Sequence, residues 1–162
     1  MQTIAKDEGW DKAAARELLD KAAAFEPTYY HFYRGYADYL QPQWFGEIGD
    51  IKNLAEEISA RFPEPDGSIL YFQIASMLAC YCRQHSEALP AISYPKMKTG
   101  YANLKRLYGT TNTLANRFAF IAYMADDKAG IQDGLKDVSE KDMDIWQLEE
   151  VYNYARDWAA SQ

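Results

Sequence analysis

Few residues in this chain have both the type and the spacing for chemistry. The one stretch that gathers metal-ligand residue types is Cys80-Tyr81-Cys82-Arg83-Gln84-His85. On a helix Cys82 and His85 could face one ion, but Cys80 points away, and no second ligand pair of zinc-site spacing follows. The cysteines therefore read as free thiols, because a disulfide between helical positions two apart would be strained. Free thiols fit a reducing compartment. The start Met1-Gln2-Thr3-Ile4-Ala5-Lys6-Asp7-Glu8 lacks the basic opening and apolar run of a signal peptide, so a cytoplasmic location is expected.

Catalytic constellations fare no better. The adjacent carboxylates Glu56-Glu57, Asp126-Asp127 and Glu149-Glu150 diverge by about 100° on a helix and do not converge on one substrate atom. A serine or cysteine nucleophile needs a histidine, and only His31 and His85 are available, neither near a nucleophile elbow or a glycine-rich phosphate loop. No catalytic residue, metal or cofactor is assigned, and an enzyme is the weaker expectation. A net charge of -7 repels phosphate backbones and anionic headgroups, so neither nucleic acid nor a membrane is expected as partner. The basic strip Lys96, Lys98, Lys105 and Arg106 reads as a solvated helix face.

What remains is aromatic. Tyr29, Tyr30, Phe32, Tyr33, Tyr36 and Tyr39 crowd one short segment, and tyrosine joins a large contact area to a polar tip, as suits a protein-binding groove. His31, Arg34 and Asp38, at i, i+3 and i+7, form a polar strip beside them that could orient a ligand. The competing reading is that these rings fill the space between helices.

The elements that must position these residues are helical. Strand signals are nearly absent, and no Asn-Gly or Asp-Gly pair stands between alternating apolar runs. Ile51, Leu54, Ala55, Ile58 and Phe62 fall on one helical stripe, with Lys52, Asn53, Glu56, Glu57 and Arg61 opposite. Read this way the chain holds about eight helices, the first over residues 10–25 and the second over 28–40, parted by Pro27 with Thr28 as cap. Trp44 is expected to fold back onto this pair, and Asp50 to cap the third helix. The run over residues 69–82 is apolar all round, which predicts a central buried helix; it is shorter than the roughly 20 residues a membrane span needs. Residues 84–94 read as a loop. Met97, Tyr101, Leu104 and Tyr108 then predict a buried stripe on a helix from Pro95, and Leu114, Phe118, Ile121 and Ala125 one on the next. Ile131, Leu135 and Val138 mark a seventh helix. Ser139 and Asp142 open a last one with Ile145, Leu148, Tyr152, Ala155 and Ala159 inward. At 162 residues the chain is one domain by size.

The small-large-small-proline pattern Ala15, Leu19, Ala22, Pro27 resembles the second helix of a tetratricopeptide repeat, with Gly35 where that family needs a small residue for close helix contact. A weaker echo runs from Thr111 through Ala119 to Ala129, Ala119 preceding Phe120 as Gly35 precedes Tyr36. The chain departs from the family in its irregular repeat lengths and in lacking the usual tryptophan. Pro27-Thr28-Tyr29-Tyr30 and Pro42-Gln43-Trp44-Phe45-Gly46 are also similar to segments of bacterial proteins of unknown function with repeat-like helical domains, a similarity that carries no activity. The phase of the match predicts a first helix without its upstream partner. Either the chain is a piece of a longer protein or residues 1–9 supply the cover.

The resemblance implies an all-α stack of antiparallel helix hairpins, a single domain over residues 1–162. It also implies that Tyr29, Phe32, Tyr36 and Tyr39 line a concave surface, with Asn116, Phe120 and Tyr123 at matching places later. Together with His31 and Arg34 these form the candidate binding set. The expectation is a scaffolding module that binds a peptide or partner protein. Two alternatives stand beside it: a helical enzyme or small-molecule binder with a pocket between helices, and an oligomerisation domain of a larger protein.

Overall fold

Capping and apolar spacing decide where each helix begins and which side it buries. The computed structural model describes residues 2–79 and 88–161, and within them the protein is all-α, without a strand. The helices are α1 (Gln2–Asp7), α2 (Lys12–Phe25), α3 (Tyr30–Tyr39), α4 (Asp50–Ser59), α5 (Asp66–Ala75), α6 (Tyr94–Tyr108), α7 (Asn112–Met124), α8 (Lys128–Leu135), α9 (Met143–Trp146) and α10 (Glu149–Ala160). The expectations for Cys80, Cys82 and His85, and residues 84–87 of the expected loop, fall outside the described residues.

Asp11, Thr111, Asp127 and Asp142 each accept a hydrogen bond from a backbone N–H in the first turn of α2, α7, α8 and α9, satisfying donors that would otherwise go unpaired. Thr28 does not cap α3. The turn after Pro27 runs one residue further, to Tyr29, and is pinned by the Tyr33 hydroxyl, which donates to the Pro27 carbonyl at 2.5 Å.

Helices adjacent in sequence are mostly adjacent in space: α4 packs on α5, α5 on α6, α6 on α7 and α7 on α8, while α10 returns to α8. The α4 stripe Ile51, Leu54, Ala55 and Ile58 is buried as its spacing predicts. Helix α5 is buried from Gly67 to Ala75 and lies among α3, α4 and α6. Its contact with α6 depends on Gly100, where a Cβ would stand 2.1 Å from the Ser68 carbonyl oxygen and 2.7 Å from the Phe72 Cβ. Behind it Tyr101 stacks on Phe118 at 4.0 Å, so one aromatic layer joins α5, α6 and α7. Helix α1 rests on α2 and α3.

Several expectations need correction. Ten helices replace about eight among the described residues, because two short ones, α1 and α9, escape a periodicity test that needs several turns. The expected last helix is two. Gln147 takes a positive φ of 60° after Trp146, and the break lets Trp146 bury completely while Leu148 turns outward. Tyr108 is largely exposed at the end of α6, where the stripe runs past its neighbours, and Ala125 is exposed beyond α7. Trp44 stays half-exposed, with the Lys6 ammonium 4.7 Å above its ring. Asp50 opens α4 from inside its first turn and accepts from the Glu47 N–H and from Lys12.

Candidate functional site

The structure divides the nine candidate residues into two groups. Tyr36, Tyr39, Asn116 and Phe120 are core: each is 4% exposed or less, so none can line an open surface. Tyr39 donates to the Trp10 carbonyl at 2.7 Å and stacks between Tyr36 and Phe45, beneath α1 and α2. Phe120 meets Trp146 edge-on at 5.4 Å. Asn116 is a polar clamp. Its Nδ2 donates to the carbonyls of Asn112 and Glu140, and its Oδ1 accepts from the Asp142 backbone N–H and the Trp146 indole. The physical reason for the correction is common to all four: an aromatic or polar stripe at helical spacing marks an inward face as readily as a binding face.

The second group stays accessible. Tyr29 and His31 are exposed, and Phe32, Arg34 and Tyr123 are half-buried. Tyr29 packs on Phe32 at 4.8 Å and on His31 at 5.1 Å, and Tyr30 lies 4.2 Å from His31, which makes one open aromatic cluster at the start of α3. Tyr123 belongs elsewhere, between Trp146 and Tyr154. The polar strip is also divided, since Asp38 accepts from Lys6 at 2.8 Å and so ties α3 to α1.

Beside the aromatic cluster opens a cavity of about 440 Å³, lined by Thr28 and Tyr30 from the α3 side, Ile69 and Gln73 from α5, and Tyr108 and Leu114 from α6 and α7. Its size suits a ligand group of several atoms. Gln73 is 1% exposed, and its Oε1 has no hydrogen-bond partner. A buried amide oxygen left this way costs stability unless something donates to it.

Two guanidiniums lie outside this cavity's lining, each one helical turn past a residue that belongs to it. Arg34 follows Tyr30 on α3, and Arg117 follows Leu114 on α7. Arg117 donates to the sulfur of Met77 at 3.3 Å, one turn past Gln73, while its buried Nε has no partner. Burial, and then the charge of Arg34, bring the Arg117 guanidinium down to about 10 against the opposing pull of Asp142. Burial likewise pushes Arg34 down. Among the described residues neither arginine forms an ion pair, whereas Arg16 and Arg61 share the Glu57 carboxylate. Two partly buried like charges without a counterion form an arrangement that an anion would relieve.

A second cavity, about 330 Å³ between α4, α5 and α6, has its polar groups paired internally: Ser68 donates to Glu64 and Asn103 donates to Ser68. Sequence reading named Arg34 but missed Gln73 and Arg117. A lone polar residue inside an apolar helical run is the signal that could have found them. Among the described residues, no group of three His, Cys, Asp or Glu side chains is placed to hold a metal ion. No helix there is long and apolar enough to cross a membrane. Set against family models, curated proteins and solved structures, the chain matches none.

Proposed function

We propose that this protein is a tetratricopeptide-like docking module that takes a peptide segment of a partner protein into the groove bounded by α3, α5 and α7. The observation that carries the reading is the cavity lined by Gln73, whose Oε1 has no partner, beside the Tyr29, Tyr30, His31 and Phe32 cluster. A peptide supplies both what the aromatic rim favours, apolar and π contact area, and what the Gln73 Oε1 lacks, an N–H donor. The enzyme alternative has less behind it. His31 is exposed and packed at a tilt against Tyr29 and Tyr30, without the acid and nucleophile that general-base work requires. The cytoplasmic setting of the proposal rests on the sequence alone.

The test is selection of random peptides displayed on phage against the immobilised full chain. Binders should be enriched and should lose affinity on Thr28→Trp, which fills the cavity mouth from an exposed position, while Phe25→Ser, an exposed change outside the cavity, leaves them unaffected. Absence of any binder above bare support, or binders indifferent to Thr28→Trp, would refute the proposal.

A further inference from the structure

We propose that the hollow between the end of α7 and α10 is a binding site for a methylated ammonium group, held by the rings of Tyr123, Tyr154 and Trp158 and by the Asp126 carboxylate. The hollow measures about 380 Å³ and is lined by these four residues and Met124. It shares no lining residue with the cavity at Gln73, so this site and the docking function can fail separately.

Local geometry builds it. Tyr154 and Trp158 stand at i and i+4 on α10 and so share one of its faces. Tyr123 lies in the last turn of α7, and the chain then turns through Asp126 before α8 begins at Lys128. The Tyr123 and Tyr154 rings are 6.3 Å apart at 75°, two walls set nearly at right angles. Tyr123 is seated by Trp146, 6.4 Å away, and Trp158 by the buried Ala122, Ile131 and Ala159. Tyr154 is 61% exposed, so the hollow opens to solvent.

Asp126 distinguishes the hollow from a patch of surface rings. Its neighbour Asp127 is engaged, accepting from Lys98, Tyr94 and the Gly130 N–H. Among the described residues nothing pairs with the Asp126 carboxylate. Asp126 also takes a left-handed φ of 54°, where glycine would be less strained. Glu150, one turn before Tyr154 on the same face, is a second exposed carboxylate, without an ion pair among the described residues. A cation is what such an arrangement stabilises: aromatic faces carry partial negative charge, the carboxylates carry full charge, and the chain carries a net -7.

Hydration favours the methylated form over a primary ammonium. An –NH₃⁺ group gives up hydrogen bonds to water and needs three acceptors in return, whereas a quaternary ammonium has no donors and is satisfied by ring surface and one charge. The protein's own Lys128 shows the difference. Its ammonium lies 5.4 Å from the Trp158 centroid, yet it donates to the Ser161 carbonyl and hydroxyl rather than to Asp126, and it stays outside the hollow's lining.

Choline, N-acetyl-trimethyllysine methylamide, ethanolamine and dimethylbutanol, the uncharged carbon isostere of choline, would each be titrated into the full chain at fixed ionic strength and followed by saturation-transfer NMR. Both trimethylammonium probes should bind, with ethanolamine and dimethylbutanol roughly tenfold or more weaker. Tyr154→Leu, which keeps apolar bulk but removes the π face, and Asp126→Asn should each weaken choline about threefold or more, while Phe25→Ser leaves it unchanged. Asp126→Asn should do so without lowering Tm, because asparagine also tolerates the left-handed φ. Tighter binding of the trimethyllysine probe than of choline would place the group on a modified protein side chain, and the reverse order on a free small molecule; both support the site. Equal binding of choline and dimethylbutanol would make it an apolar pocket. A dimer in sedimentation that Tyr154→Arg dissolves would assign the rings to a self-interface, and a lower Tm for Asp126→Asn would assign the carboxylate to the fold. Each of these overturns the proposal, as does choline binding that is absent or indifferent to both variants.

Discussion

Replacing Asn116 with Ala tests whether the carboxy-terminal helices are held by one buried amide. The side chain makes four hydrogen bonds: it donates to the Asn112 and Glu140 carbonyls at 2.9 and 3.0 Å, and accepts from the Asp142 N–H and Trp146 indole at 3.2 and 2.9 Å. Trp146 is fully buried, and truncation leaves its indole N–H in an apolar surrounding without an acceptor. Each buried group left unpaired costs about 1–3 kcal/mol, so losing the partners of the indole and of the segment at Glu140 and Asp142 is worth about 3 kcal/mol. Against a total stability of about 5–15 kcal/mol this is a large share. With a urea dependence of about 2 kcal/mol/M, the midpoint should fall by about 1.5 M at unchanged slope. Tryptophan emission and far-ultraviolet circular dichroism, followed through one urea titration, give that midpoint. In Trp146→Phe the indole donor is already gone, so adding Asn116→Ala there should cost less than it does in the native protein. A drop below about 0.5 kcal/mol for Asn116→Ala would refute the reasoning, because buried orphaned donors cannot be that cheap.

Gly100→Ala should destabilise by about 2 kcal/mol, a fall in Tm of about 4–8 °C by calorimetry, because its new Cβ meets backbone at Ser68 rather than a side chain that can move. Burial pushes the Asp127 carboxyl up, but hydrogen bonds from Lys98, Tyr94 and the Gly130 N–H outweigh it and hold the group at about 2. Its folded value lies below its unfolded one, so the stabilisation is complete above about pH 4 and is lost as pH falls towards 2. Urea midpoints measured from pH 5 to pH 2 should fall less steeply in Asp127→Asn than in the native protein. Arg16→Ala removes the bridge from α2 to Glu57 on α4, yet the pair is solvent-exposed, so the cost should stay below about 1 kcal/mol and shrink in high salt.

The legible parts of this protein were those fixed by local spacing. The α4 stripe and the all-round apolar α5 could be read from a few consecutive residues, because helix periodicity involves only neighbours along the chain, whereas the cap expected of the Ser139 and Asp142 pair falls to Asp142 itself. The short α1 and α9 and the break at Gln147 could not, since each exists only because a distant surface receives it.

The site followed the same division. Sequence located an aromatic, polar-flanked α3 but could not say which of its rings face inward: Tyr36 and Tyr39 went to the core and Tyr29 and His31 to the surface. Asn116 looked like a binding residue and is a clamp for Trp146, a partner thirty positions away. That Gln73 lines a cavity with Tyr30 and Leu114 was decided by how α3, α5 and α7 pack. A helix records its own stripes in sequence, but which stripe meets which, and which charges are left facing one another, is set by how whole helices settle on a shared core.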